Sequence, residues 1–207
     1  SNSGVTGSAG VSTEAVASSA PGTYPVVPSV GSLASSNYAF NYVNGTLTIG
    51  KATLTVTAQN SSRTYGASDP AFNVSFTGFV NGESKETSDL QGAPAYTTNA
   101  TSSSIVGSYI ITPSAGTLAS DNYTFNFVNG TLGITKATVS VVADDKTKTY
   151  GSANPDLSVS YNGLMNGETF STSGITGSPA LTTSANSSSS VGNYTISATA
   201  GTLSSVN

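Results

Sequence analysis

The sequence predicts an all-β chain built of tandem antiparallel sandwich modules, and three observations carry that reading. One is a gapless repeat of 85 residues: Lys51-Ala52-Thr53 returns as Lys136-Ala137-Thr138, Thr64-Tyr65-Gly66 as Thr149-Tyr150-Gly151, and Asn81-Gly82-Glu83 as Asn166-Gly167-Glu168. Another is short-period alternation of apolar and polar residues, with no long apolar set at helical spacing. The third is composition: Ser and Thr make up 67 of the 207 residues, and Gly, Pro and Asn punctuate the apolar stretches as turns between strands do.

Within the complete repeat, Ala52, Leu54 and Val56 alternate with Thr53, Thr55 and Thr57, which describes a strand with one face inward. A second strand is predicted over Phe72-Asn73-Val74-Ser75-Phe76, ended by Gly78; Leu157, Val159 and Tyr161 hold its inward positions in the next copy. A third runs from Ala95 to Thr98 and a fourth from Ser108 to Ser114, with Tyr109 and Ile111 inward. Tyr123, Phe125 and Phe127 then alternate with Thr124 and Asn126, and Asn129-Gly130 supplies two residues at ease with positive φ. Leu132 and Ile134 alternate on the return, so a β-hairpin is predicted here and again at Tyr38 to Ile49. Glu83 to Leu90 has room for one helical turn before Gly92 and Pro94 end it. Six or seven short strands in 85 residues predict an immunoglobulin-like sandwich, with a β-grasp-like module as the alternative.

Of the 72 aligned pairs from Lys51/Lys136 to Asn122/Asn207, 36 are identical. The sequence therefore divides into the C-terminal part of a first repeat (1–50), a complete repeat (51–135) and a third repeat lacking its last hairpin (136–207). A chain that starts and stops in mid-repeat is expected to be a piece of a longer protein. The third copy is expected to expose an apolar groove and an unpaired edge strand, which the hairpin Tyr38 to Ile49 of another molecule would fill in head-to-tail association. Only Thr135, Lys136 and Ala137 separate the strands that close one repeat and open the next, so the array is expected to be a fairly rigid rod.

Six positive charges against ten negative ones offer nothing to a polyanion, which argues against nucleic acid and anionic membrane as partners. No apolar run reaches the length of a membrane span. Cys, His and Trp are absent, so disulfides and thiolate or imidazole metal sites are excluded. A disulfide-free exported module points to a bacterial, extracellular setting.

Among candidate sites, Glu83 and Glu168 are the only acids that recur at equivalent positions, and the turn they occupy predicts a solvated residue rather than a catalytic one. Ser and Thr nucleophiles lack a base, so no enzyme is expected, and no catalytic, cofactor-binding or metal residues are assigned. Asp144-Asp145 is the one adjacent acidic pair that calcium would need, yet its counterpart is Gln59-Asn60. Lys51 and Lys136 suit an edge role that discourages sheet-to-sheet pairing; an isopeptide bond is the alternative. Tyr65 and Tyr150 are expected to anchor a loop by bonding backbone, with stacking on a sugar as the alternative.

Lys-Ala-Thr-Leu, then Thr-Tyr-Gly with Asp69-Pro70, Gly78-Phe79-Val80-Asn81-Gly82-Glu83, Val106-Gly107-Ser108-Tyr109, Asn122-Tyr123 and Val128-Asn129-Gly130-Thr131-Leu132 together resemble the MBG domain family in its YGX-type form. The resemblance covers essentially the whole chain; Asp69 becomes Asn154, and Phe79-Val80 becomes Leu164-Met165. It implies a non-catalytic repeat module of large bacterial exported proteins and adhesins. The expected function is a stalk or spacer of a cell-surface or secreted adhesin, with neighbouring repeats as partners. The alternative is that the repeats hold a glycan or a host or matrix protein by weak multivalent contacts.

Overall fold

Alternation makes strands here, but long-range partners decide how they pair. In the computed structural model, which describes residues 4–207, the first repeat supplies β1 (Val5–Thr6), β2 (Gly10–Ser12), β3 (Gly22–Ser29), β4 (Ala34–Ser35) and β5 (Gly45–Ile49). The complete repeat supplies β6 (Ala52–Ala58), β7 (Ser61–Thr64), β8 (Val74–Thr77), β9 (Ala95–Thr98), β10 (Gly107–Ser114), β11 (Tyr123–Val128) and β12 (Gly130–Thr135). The third supplies β13 (Ser140–Ala143), β14 (Val159–Asn162), β15 (Ala180–Thr183) and β16 (Ile196–Thr199). The chain is all-β, with small sheets ordered β1-β4, β2-β3-β5, β11-β6-β8, β7-β12-β10-β9, β13-β14 and β15-β16. No helix forms among the described residues. Residues 83–90 make turns, with one helical-type bond from Ser88 N to Ser84 O at 2.9 Å.

The predicted hairpin at Tyr123 to Ile134 does not form. β11 lies parallel to β6, Tyr123 opposite Ala52 and Val128 opposite Thr57, while β12 lies antiparallel to β10 and parallel to β7. Neither Asn129 nor Gly130 takes a positive φ, so the chain makes no type I′ turn there. Alternation fixes which side chains point inward, and it says nothing about partner or direction. Pairing with β6 buries Tyr123, and pairing with β7 and β10 buries Leu132 and Ile134; none of these gains is open to an isolated hairpin. For the same reason the sheets are not purely antiparallel. β7, over Ser61–Thr64, carries no apolar alternation and was not foreseen.

The hairpin at Tyr38 to Ile49 is likewise absent. β5 pairs with β3 just as β12 pairs with β10, Gly22 opposite Ile49 matching Gly107 opposite Ile134. Residues 38–44 form no strand.

By compactness the chain divides into two units, each drawing on more than one repeat. The first comprises Ser1–Ala58, Val74–Tyr96 and Thr112–Asn129. Its core is Leu54 and Val56 from β6, Leu90, Leu118 and Tyr123, bordered by Ala52, Val74, Phe76, Phe79, Phe125 and Phe127. Phe79 meets Tyr123 edge-on at 5.7 Å between ring centroids, a favoured arrangement for aromatic pairs. Each fully buried side chain of this kind contributes roughly 1.5–3 kcal/mol. The second unit comprises Gln59–Asn73, Thr97–Ile111 and Gly130–Asn207. Its buried residues include Tyr65, Ile111, Leu132 and Ile134.

Two small devices recur in all three copies. Tyr24, Tyr109 and Tyr194 each donate their hydroxyl to the carbonyl four residues upstream, on Ala20, Ile105 and Ser190, at 2.8–3.0 Å. Each ring thereby pins the entry to its strand. In the other, Thr117 N donates to Ala93 O and Ala93 N to Thr117 Oγ1; Ser8 with Ser32 and Ser178 with Thr202 do the same. Only glycine fits beside this clasp. Gly92 has φ +79° and an added Cβ would lie 2.0 Å from Thr117 O, a clash repeated at Gly7 and Gly177.

Candidate functional site

The two motifs that recur most conspicuously, Thr-Tyr-Gly and Asn-Gly-Glu, meet each other across successive repeats inside the second unit. β7 ends at Thr64, and Tyr65 N donates to Thr135 O at 2.8 Å, which holds the tyrosine beside the end of β12. Tyr65 is buried, and its hydroxyl donates to Glu168 Oε1 at 2.5 Å. Gly66, at φ +79°, lies so close to Met165 that an added Cβ would sit 2.5 Å from the Met165 Cβ. Asn166 Nδ2 reaches back to Ser102 O at 3.2 Å. The complete repeat and the third repeat are thus joined by a hydroxyl–carboxylate bond, a glycine-dependent contact and an amide–carbonyl bond.

The Asn-Gly-Glu turn is shaped for this. Among the described residues, Asn81 and Asn166 are the non-glycine residues with positive φ, at 55° and 53°, each followed by a glycine at 72° or 71°. A hydrogen bond from Glu83 N to Val80 O, and its equivalent from Glu168 N to Met165 O, closes each turn and turns the carboxylate inward. Glu83 accepts the hydroxyl of its own repeat's Tyr123 at 2.5 Å, and Val80 N donates to the same hydroxyl oxygen at 3.1 Å. The recurring glutamate is therefore a half-buried acceptor for tyrosine, not the solvated turn residue expected from its neighbours.

These contacts shift the tyrosines. The hydrogen bond to Glu168 is the main cause that raises the Tyr65 hydroxyl above its ordinary range, with burial assisting and Asn166 opposing. Tyr123 is raised chiefly by burial, then by its bond to Glu83. At Asp89, burial opposes ionisation, yet hydrogen bonds from Ser120 Oγ and from the backbone of Asp121 and Asn122 together outweigh it and lower the carboxyl.

Beside the joint, Arg63 holds the loop that follows β7. Its Nε lies 2.6 Å from Asp69 Oδ1, Nη1 donates to Thr64 O and Nη2 to Thr101 O, with the side chain 3% exposed. The third repeat replaces both charged partners together. Lys148 Nζ donates to Asn186 O and Ser152 O, and Asn154 Nδ2 donates to Ala185 O. The change from Asp69 to Asn154 thus accompanies a change from a fork with five donors to a point charge that bonds carbonyls.

The remaining sequence candidates fall elsewhere. Lys51 Nζ donates to Ser120 O and Lys136 Nζ to the equivalent Ser205 O, so both lysines tie a loop carbonyl rather than guard a sheet edge. Asp144 accepts from Ser158 and Ser160, and Asn60 accepts from Thr131 N. Among the described residues no group of three or more His, Asp or Glu is placed to hold a metal ion. Tyr65 bonds a carboxylate where backbone was expected, and Tyr150 stands exposed. Arg63, Asp89 and Met165 were missed. A buried arginine beside Thr-Tyr-Gly has no local signature, whereas the shared 85-residue interval of the two motifs is what a joint between copies requires.

The pattern of the MBG domain (YGX type) family matches residues 1–48, 54–133 and 139–207. No curated protein and no solved structure shows a match.

Proposed function

The chain belongs to the MBG domain family, YGX type, in three successive copies, and from that premise we propose that it is a non-catalytic spacer in the stalk of a bacterial adhesin, displayed at the cell surface or secreted. MBG domain repeats are found in bacterial surface proteins. The joint of Tyr65 and Gly66 with Met165 and Glu168 is the observation that carries this reading, because both halves are motifs that occur in the complete repeat and again in the third. An array assembled from such a module carries the same lock at each junction, and that supports a part whose task is to hold distance. The parallel pairing of opening and closing strands supports a β-grasp-like module over an immunoglobulin-like sandwich, whose sheets are antiparallel.

The test is backbone ¹⁵N relaxation on the intact chain. Residues 97–111 and 140–199 should share one rotational correlation time. Tyr65→Ala should let them diverge while the chain stays folded. Independent tumbling in the parent chain, or no change in the variant, would remove the lock and the spacer reading with it. A glycan array run on the same protein addresses the competing function: selective retention of one glycan would make the repeats themselves the adhesive.

A further inference from the structure

The fold leaves the asparagine of Asn129-Gly130-Thr131 without a task. The tripeptide returns at the repeat interval as Asn44-Gly45-Thr46, and in a hairpin its asparagine would supply a positive φ. Neither Asn129 nor Gly130 has one. Gly130 lies buried at the start of β12, opposite Ile111. The asparagine before it is exposed, and among the described residues none hydrogen-bonds to its side chain. Thr131 is exposed as well. Its backbone N–H donates to Asn60 Oδ1 at 2.9 Å, while its hydroxyl has no partner among the described residues. The tripeptide thus presents a free amide and, two residues on, a free hydroxyl. Asn-x-Ser/Thr, with x other than Pro, is the acceptor pattern for N-linked sugars.

In a chain this rich in Ser and Thr the pattern recurs by composition, and the structure separates its occurrences. The complete repeat holds four more, at Asn60, Asn73, Asn99 and Asn122. Asn122 is half-buried, Tyr123 after it is buried, and Thr124 Oγ1 is engaged with Ala52 O and Thr53 Oγ1. Asn60 has its amide oxygen on Thr131 N. Thr101 Oγ1, two residues after Asn99, bonds Ser103 and Ser104, and Ala100 between them is buried. Asn73 and Ser75 are exposed, but Ser158 replaces Asn73 in the third repeat. Asn129 combines exposure, freedom of both groups and recurrence. We propose that Asn129 is the acceptor of an N-linked sugar, supplied as a nucleotide-activated hexose by a glycosyltransferase of the producing cell. Asn129 Nδ2 attacks the anomeric carbon and the C1–Nδ2 bond forms. The bond from C1 to the diphosphate oxygen breaks, the nucleoside diphosphate leaves with that electron pair, and the amide gives one proton to the transferase. The sugar adds a bulky, hydrated and uncharged cover to a chain in which charged residues are only 8%.

The test is peptide mapping by mass spectrometry, with electron-transfer fragmentation, of the full protein isolated from the cells that produce it. The peptide holding residues 129–131 should carry hexose on Asn129. Made in the same cells, Asn129→Gln and Thr131→Ala should lose that mass and Thr131→Ser should keep it, as a sugar placed by recognition of the hydroxyl requires. Made without the transferase, the parent chain and Asn129→Gln should share one urea midpoint, since the asparagine side chain bonds nothing. A bare Asn129 in the isolated protein, hexose retained in Thr131→Ala, or sugar on Thr131 Oγ1 instead would each overturn the proposal. So would a lowered midpoint in Asn129→Gln, which would give the asparagine a structural task.

Discussion

Residues 38–43 and β11 differ at two positions in six, yet β11 is a strand with Tyr123 at 2% exposure while the earlier copy forms no strand and leaves Tyr38 at 61%. The same contrast separates β7 from residues 146–149, its counterparts in the third repeat, which pair with nothing in the sheets. Tyr65 is buried against Glu168, and Tyr150, its equivalent, is 68% exposed. The first and last pairs hold the local sequence nearly constant, while β7 and residues 146–149 share only Thr64/Thr149; in each pair the partner differs. Strand formation in this module is thus a property of non-local contacts, as expected where β-propensity reflects fit to a half-buried surface more than backbone preference.

The sharpest way to break the comparison is to truncate both tyrosines. Tyr123→Ala should cost about 3–5 kcal/mol in urea unfolding, because a large buried aromatic leaves a cavity. Tyr38→Ala, measured on dilute protein, should stay within about 0.5 kcal/mol. Equal losses would show that residues 38–43 are packed after all. Next comes the Arg63 fork. Asp69→Ala leaves a buried guanidinium without its anion and should cost about 3 kcal/mol. Asn154→Ala, at the exposed counterpart, should cost about 0.5 kcal/mol; the same unfolding curves read both.

At the joint, Tyr65→Phe should cost about 1 kcal/mol by removing one hydrogen bond. Tyr150→Phe should change nothing measurable in the same experiment. The pH dependence follows from the raised hydroxyls of Tyr65 and Tyr123. A tyrosine whose pKa is higher in the folded state contributes fully below its unfolded value of about 10 and loses that contribution as pH climbs toward the folded value. Melting temperature should therefore fall more steeply above about pH 10 in the parent than in Tyr65→Phe. A parallel decline in both would place the alkaline sensitivity elsewhere. The smallest effect belongs to Thr124→Ala, whose Oγ1 meets Thr53 Oγ1 on the exposed face; it should stay within about 0.5 kcal/mol. Phe125→Ala must exceed it, or the inward register of β11 is reversed.

Much of the module was legible in its sequence for a reason visible in the residues. Ala95–Thr98 is a strand with the bounds that alternation gave it, Ser108 to Ser114 gains one residue, and Ile111 points inward as its position in the alternation requires. The exposed Thr53, the half-buried Thr55 and Thr57 and the buried Leu54 and Val56 of β6 sort by the two-residue period. What stayed hidden was pairing. Asn129-Gly130 carries a hairpin signal that three more distant partners override, and β7 is held by β12 without any apolar code of its own. At the joint, the recurrence of both motifs was plain, and their encounter across copies was not, because periodicity gives positions along the chain and no distances between them.

The parallel course of the opening and closing strands also sets how the module answers a pull. The chain enters β6 at Ala52 and leaves β11 at Val128, and since these strands run the same way, entry and exit sit at opposite ends of their ladder. Tension between those points slides one strand along the other and strains every rung together. The ladder of β7 and β12, entered at Ser61 and left at Thr135, is arranged in the same sense. A hairpin at Asn129-Gly130 would instead have been gripped at its open end and unzipped rung by rung, at a small fraction of the force. Rupture under tension is set by the height of the unfolding barrier and not by the equilibrium free energy, so a small buried core is compatible with high resistance to a pull.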